Sequence, residues 1–423
     1  MAAQRSTLAA RVAAWVLLAA IASVWAATQV KPAWVAPSWD LSALMVGARV
    51  ARDEGFAHLY EHDPVFYNIA ESPAFRRAAA TLGFTETPTA FVHAPLVAIA
   101  ARPLAGFPFP SVARVWVVGS TLATLLGLAM GALHFAPRMR GPLAWGAILA
   151  ALTPFEPIRY GLWLGQTTPF VFCLTMLSLV LAERRRGFLA GTILAVPAFV
   201  KLGPALLVIV WLWRKDYRAV SGLVAGIVVL SLCSVIACGI VPNLEYVDRV
   251  RTLARETVVA FNNHSLAAFL ERLSQPNVEV FAWRTMPISA GLRAAMACSA
   301  FAMAGVAYWA LRALDLATRT KLATGTVVVA MLLVPSISWT HYFVFLVPIL
   351  LMLWELAGQL PERSLLRTSL AVPLLLCSRP IFLDQIDRHR GPLGTIIPGP
   401  TLAAVLVYVL LVFVGRRLRR DAV

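Results

Sequence analysis

The chain has 423 residues, of which 59% are hydrophobic and only 14% charged, with a mean hydropathy of +0.75. A soluble chain carries about 25% charged residues, so the composition excludes an ordinary soluble domain and points to a polytopic membrane protein. The net charge of +16 would suit a nucleic-acid partner only as one concentrated basic face; here it is divided among the loops between apolar runs, and no nucleic acid is expected.

The first apolar run, 8–28, follows Arg5 and Arg11. Its end, "VWAAT", resembles a small-residue cleavage site. The run is long for a secretory signal and many more follow, so an uncleaved first helix is expected. Residues 30–110 then read as a long external segment rich in charge, proline and aromatics. Within it, Asp40 opens an amphipathic helix in "PSWDLSALMVGARVARDEG" (residues 37–55). The apolar run 90–105, bracketed by Pro88 and Pro103, reads as a juxtamembrane or re-entrant helix. Counting it as a crossing would put the next basic clusters on the wrong sides. Such a segment must be shielded by protein wherever it enters hydrocarbon.

Crossings are expected next at 111–134, 143–155, 166–182, 188–200, 204–213 and 219–241. At ~1.5 Å per residue, neither 188–200 nor 204–213 spans a ~30 Å core alone. Lys201 and Pro204 separate them, so they read as a hairpin of broken helices with an ammonium at its apex. Irregular backbone at that depth requires a cavity lined by protein or water. A second external loop, 242–288, precedes spans at 289–311, 322–339, 342–356, 368–377 and 401–414.

The basic clusters are Arg138/Arg140, Arg184–Arg186, Arg214/Lys215/Arg218, Arg312/Arg319/Lys321, Arg363/Arg367 and Arg416/Arg417/Arg419/Arg420. All fall on one side of this topology, which the positive-inside rule makes cytoplasmic. The expected fold is a single all-α polytopic membrane domain over residues 1–423. It has about twelve transmembrane helices, external juxtamembrane helices and both termini cytoplasmic, in the cell inner membrane. The five cysteines lie inside apolar runs and form no CxxC pair; they read as small core or lipid-facing residues.

A set of unusual polar residues then falls on the external side. They are Asp40, Arg159 and Gln166 in "FEPIRYGLWLGQ", Lys201 in "FVKLGP", Asn262, Asn263 and His264 in "FNNHSL", and His341 in "SWTHYF". Each has a bland explanation. Asp40 in a first helical turn gains ~0.3–1 kcal/mol from the dipole. Lys201 can snorkel or pair with an acid. His341 can anchor an interface beside Trp339 and Tyr342, Gln166 can cap a helix, and Asn263 and His264 can be loop residues. Their convergence on one membrane face beside broken helices favours a site.

No HExxH, glycine-rich phosphate loop, GxSxG or metal-spaced cysteine pair accompanies them, and neither cofactor nor metal is expected. Transfer from a lipid-linked phosphate suits the set. It requires a carboxylate to take the proton of an acceptor hydroxyl and cations to hold the phosphate as charge develops. Asp40 suits the first task, and Lys201, Arg159 and His341 the second. A transporter or flippase with an ionisable midplane site is the alternative; a non-catalytic membrane scaffold is a third reading.

At these residues the sequence resembles glycosyltransferase family 87, polyprenyl-phosphate-sugar-dependent enzymes of the C-type superfamily. The family's Asp after the first span, Gly and Leu-Tyr correspond to Asp40, Gly55 and "HLYEHD" (His58–Asp63). Its aromatic–x–Pro entry is "FVHAP", its Gly-Gln is Gly165–Gln166, and its small–Lys–x–x–Pro is "VKLGP". Its Asn-x-Ser-Leu is "NHSL" (Asn263–Leu266), and its His-Tyr is His341–Tyr342, followed by Pro348. Leu44 and His93 stand where the family often has Tyr, and residues 64–88 lengthen the first loop.

The resemblance implies an inverting transfer on the periplasmic or exterior face. By the resemblance Asp40 would be the base; from the residues themselves, Lys201, His341, Arg159, Gln166, Asn263 and His264 are the candidates to bind the donor phosphate or substrate. The partners would be a polyprenyl-phosphate-linked sugar donor (mannose or a pentose such as arabinofuranose), a glycolipid or glycan acceptor, and membrane lipid.

Overall fold

The computed structural model describes residues 2–35, 38–61, 66, 70, 72–84, 89–275, 279–380 and 399–420, with side chains from residue 8 onward. Asp63 and Pro88, singled out in the sequence, lie outside the described residues. Among the described residues, seven helices are long and apolar enough to cross a membrane. They are Leu8–Trp34, Phe109–Phe135, Tyr217–Cys238, Ala290–Leu311, Leu316–Leu333, Thr340–Ala357 and Gly399–Arg420. Four shorter apolar helices, Pro142–Leu152, Thr168–Glu183, Gly187–Val200 and Gly203–Trp213, coincide with four more of the expected spans. The remaining one, 368–377, is interrupted where Arg363–Ser369 and Ala371–Leu376 meet at Leu370. Helix length therefore supports seven crossings rather than twelve. An 11-residue helix such as Pro142–Leu152 covers only about 16 Å.

The apolar run 90–105 folds as a seven-residue helix, Pro95–Ala101, which starts at a proline suited to the first turn. It packs into a small second core. Helix Trp39–Asp53 contributes Leu41, Leu44, Met45, Val46 and Ala48, joined by Phe75, Phe91, Ala98 and Ala101.

The all-α expectation needs one correction. In the second loop, Glu256–Val259 pairs antiparallel with Arg284–Pro287, in register from Glu256↔Pro287 to Val259↔Arg284. The β-branched run Thr257–Val259, fully buried, favours an extended backbone over another helical turn.

The broken hairpin is present as helix, break and helix. Gly187–Val200 ends at Lys201, whose backbone is extended (φ −144°, ψ 117°), and a 3-10 turn, Gly203–Leu207, leads into Val208–Trp213. Glycines set its depth. A Cβ on Gly191 would lie 2.0 Å from the Ala219 carbonyl oxygen, and one on Gly222 2.0 Å from that of Phe188. Only glycine lets helices Gly187–Val200 and Tyr217–Cys238 approach this closely, and the contact positions the Lys201 end.

Candidate active site

A cavity of about 920 Å³ is lined by residues from all five segments that carried the unusual polar residues. Asp40, Gln166, Lys201 and His341 all line it, joined by His93, Tyr160, Asn262, Trp283 and Tyr342.

Asp40 sits in the first turn of Trp39–Asp53, and its backbone N–H donates to the Leu164 carbonyl at 2.9 Å. Gly165 makes this approach possible. It has φ +69°, and a Cβ there would lie 2.8 Å from Leu41 Cβ and 3.1 Å from Ser38 Cβ. The left-handed backbone and the close contact both require glycine. The next residue, Gln166, donates from Nε2 to Asp40 Oδ2. Its Oε1 accepts from Lys201 Nζ at 2.9 Å. Lys201 Nζ also lies 3.3 Å from His341 Nε2, 3.4 Å from the Tyr342 hydroxyl and 4.4 Å from the centroid of the Tyr342 ring. A carboxamide has one donating and one accepting end, so Gln166 joins acid and ammonium without a direct ion pair.

Burial pushes the Asp40 carboxyl up to about 6. The Gln166 hydrogen bond and the Lys201 charge oppose the rise without cancelling it. Burial, reinforced by the Lys201 charge, pushes His93 down to about 4, so its ring is neutral near pH 7. His93 Nδ1 lies 3.4 Å from the Val200 carbonyl oxygen. The Tyr60 hydroxyl donates to the His93 carbonyl at 2.7 Å, tying the "HLY" segment to "FVHAP". Gly47 admits the same segment to the Asp40 helix, since a Cβ there would lie 2.4 Å from the Phe91 ring.

Three expected site residues have other duties. Arg159 touches the cavity, but its guanidinium is committed to Glu156, with Nε donating to Oε2 at 2.8 Å and Nη2 to Oε1. Glu156 is 1% exposed, so the arginine neutralises a buried acid instead of offering a free cation to a phosphate. Asn263 and His264 are fully buried and do not line the cavity. Asn263 donates to the Val258 and Ser336 carbonyls at 2.9 and 3.2 Å, and its Oδ1 accepts from the Ser338 N–H at 2.8 Å. His264 Nε2 lies 3.0 Å from Thr340 Oγ1, and its N–H donates to the Ser338 carbonyl at 2.7 Å. Together they clamp residues 336–340, which present His341.

Asn262, beside them, lines the cavity together with Phe261 of the same "FNNHSL" segment. It donates from Nδ2 to the Tyr160 hydroxyl at 3.1 Å and accepts the Trp283 indole N–H at 3.2 Å. Asn262 and Tyr342 stood in quoted motifs, and Tyr160 lies beside Arg159 in "FEPIRYGLWLGQ", so the motifs were their signal. Trp283 stands in no motif. Among the described residues, no group of three or more His, Cys, Asp and Glu could hold a metal. Glu61 lies 2.9 Å from His58 Nδ1 and does not line the cavity.

The chain is also similar to known proteins. The family model for Glycosyltransferase family 87 matches residues 91–336, more than half of the chain. Two similar proteins are polyprenol-phosphate-mannose-dependent alpha-(1-2)-phosphatidylinositol mannoside mannosyltransferases. That of Mycobacterium tuberculosis is 27% identical over 321 residues, covering 71% of this chain and 70% of the relative. That of Mycolicibacterium smegmatis is 28% identical over 326 residues, covering 71% and 69%. A third, a polyprenol-phosphate-mannose-dependent alpha-(1-2)-phosphatidylinositol pentamannoside mannosyltransferase of Mycobacterium tuberculosis, is 27% identical over 320 residues, covering 71% and 68%. No solved structure matches.

Proposed function

Because this chain belongs to glycosyltransferase family 87, we propose that it transfers a mannosyl unit from a polyprenyl-phosphate donor to a hydroxyl of a glycolipid acceptor. The activities of the relatives support mannose over a pentose, and a phosphatidylinositol mannoside as the kind of acceptor. The observation that carries the reading is the Asp40–Gln166–Lys201–His341 chain in one cavity. It puts a carboxylate and an ammonium within one carboxamide of each other.

In the proposed reaction the acceptor hydroxyl oxygen attacks the anomeric carbon from the side opposite the phosphate. The bond from that carbon to the phosphate oxygen breaks, and its electron pair stays on the leaving polyprenyl phosphate. The hydroxyl proton passes to Asp40, which later releases it to water. Lys201 meets the charge that develops on the leaving phosphate; one such donor is worth about 2.7–4 kcal/mol in the transition state. His341, neutral where Nε2 accepts from an ammonium, and Tyr342 orient Lys201. Configuration inverts, so an α-mannoside product demands a β-linked donor.

The same reading makes residues 1–423 one inner-membrane domain of about twelve crossings with both termini cytoplasmic. Each short helix would be one of these crossings, its ends shielded by the helices packed around it. Residues 30–110 and 242–288 are its external loops, and the cavity opens on the exterior side, where the basic clusters are absent.

The test uses the purified protein in nanodiscs with radiolabelled polyprenyl-phosphate-mannose and a phosphatidylinositol mannoside. Mass spectrometry should find one added hexose, and NMR should assign it as α-linked. Release of free mannose alone, or uptake into sealed vesicles with no covalent product, would overturn the proposal. Labelling of a cysteine placed at Lys31 by an impermeant reagent from outside intact cells tests the orientation.

A further inference from the structure

Trp283 lines the cavity with its backbone in the left-handed region, φ 46°. That conformation costs a non-glycine residue about 1–2 kcal/mol, and such strain gathers at functional sites, where the surroundings hold it. Here the holders are visible. The indole N–H donates to Asn262 Oδ1 at 3.2 Å, and the ring meets Phe261 edge-on at 5.7 Å. Asn262 is 5% exposed and is itself fixed, its carbonyl accepting the Thr340 N–H at 3.0 Å. Its amide reaches the Tyr160 hydroxyl, and Tyr160 stacks on Trp163 at 5.8 Å with 28° between the rings. The result is an aromatic wall crossed by a line of polar groups, built on elements other than those that carry Lys201.

We propose that Trp283 is the platform on which the acceptor's terminal sugar ring lies, with Asn262 as the positioning residue that holds the indole. This rests on the glycosyl-transfer reading and extends it to the acceptor subsite. The C–H face of a pyranose is apolar and weakly positive and packs against the electron-rich face of an indole. The ring's hydroxyls require polar partners at its edge, which the Asn262–Tyr160 pair supplies. Lys201 holds the donor phosphate on a separate element, so the acceptor occupies the remaining aromatic wall. The strain is then the cost of presenting the indole to the cavity.

The test measures binding and turnover separately. Methyl α-D-mannopyranoside is titrated by calorimetry into the nanodisc protein carrying Asp40→Asn, which removes turnover from the measurement. Adding Trp283→Ala should weaken its Kd by about tenfold, whereas Trp283→Phe should stay within about threefold. In the otherwise unaltered enzyme, Trp283→Ala and Asn262→Ala should raise the KM for the phosphatidylinositol mannoside and leave the donor KM unchanged. Trp283→Gly removes the ring and relieves the left-handed backbone, so it gives a folded protein with the same acceptor defect. An unchanged mannoside Kd in Trp283→Ala, or a parallel rise in both KM values, overturns the proposal. Mannoside binding that needs Trp283, with no transfer product from the protein that retains Asp40, upholds this sugar subsite while refuting the transfer reading.

Discussion

Gln166 hydrogen-bonds the carboxylate of Asp40 across 126 residues of sequence, with Nε2 donating to Oδ2. Because the other end of the same carboxamide accepts from Lys201, the acid and the ammonium feel each other without quenching each other. In the proposed reaction this leaves Asp40 available to a hydroxyl and Lys201 to a phosphate, an arrangement a direct salt bridge would forfeit.

Asp40→Asn should therefore remove transfer and leave the fold intact. Asn preserves the shape, the Leu164 backbone contact and a partner for Gln166, but it cannot take the acceptor's proton. The turnover rate should fall by ~10²–10⁴-fold, with donor KM and thermal midpoint close to wild type. A purely helix-dipole role predicts a stability loss under about 1 kcal/mol and surviving activity. Turnover above about a tenth of wild type would show that Asp40 is not the base.

The pH profile has a defined sign. Burial raises the Asp40 carboxyl to about 6, and a base acts only when ionised. Turnover should fall as pH drops through about 6. Lys201 lowers that carboxyl's pKa, so Lys201→Met should move the acid limb to higher pH. The same variant should weaken donor use by about 2.7–4 kcal/mol of transition-state stabilisation. An acid limb that stays in place would mean that some other group titrates.

Arg159→Met should behave differently from Lys201→Met although both remove one cation from the cavity wall. Losing Arg159 leaves Glu156, 1% exposed, buried without its partner, which costs about 3–5 kcal/mol. A lowered thermal midpoint with an unchanged donor KM in the surviving protein is expected. A raised donor KM with normal stability would return Arg159 to the phosphate.

Gly165→Ala tests the turn. The Ala Cβ would enter at 2.8 Å from Leu41 Cβ with φ +69°, combining left-handed strain of about 1–2 kcal/mol with overpacking of about 1–3 kcal/mol. The turn should shift, separating Gln166 from Asp40 and lowering both stability and turnover. Thermal melts in detergent, paired with the mannosyl-transfer assay, read both effects.

The amino-acid sequence alone determined the membrane class, the order of the motifs and the broken hairpin at Lys201. Hydrophobic runs, basic clusters and proline act locally, and their consequences follow the chain. It also singled out Asp40, Gln166, Lys201 and His341, because a polar group beside an apolar helix is costly and therefore conspicuous. Three matters were decided only by tertiary structure. Arg159 turned to Glu156 one helical turn away, because a buried acid must be neutralised before any ligand is bound. Asn263 and His264 became a clamp for the His341 segment, because buried backbone groups at residues 336–340 needed partners. Trp283 joined the cavity without any motif, because its place is set by a strand pairing and by Asn262. A contact between distant segments leaves no periodic trace in the sequence; it exists only once packing has chosen which side of each residue is turned inward.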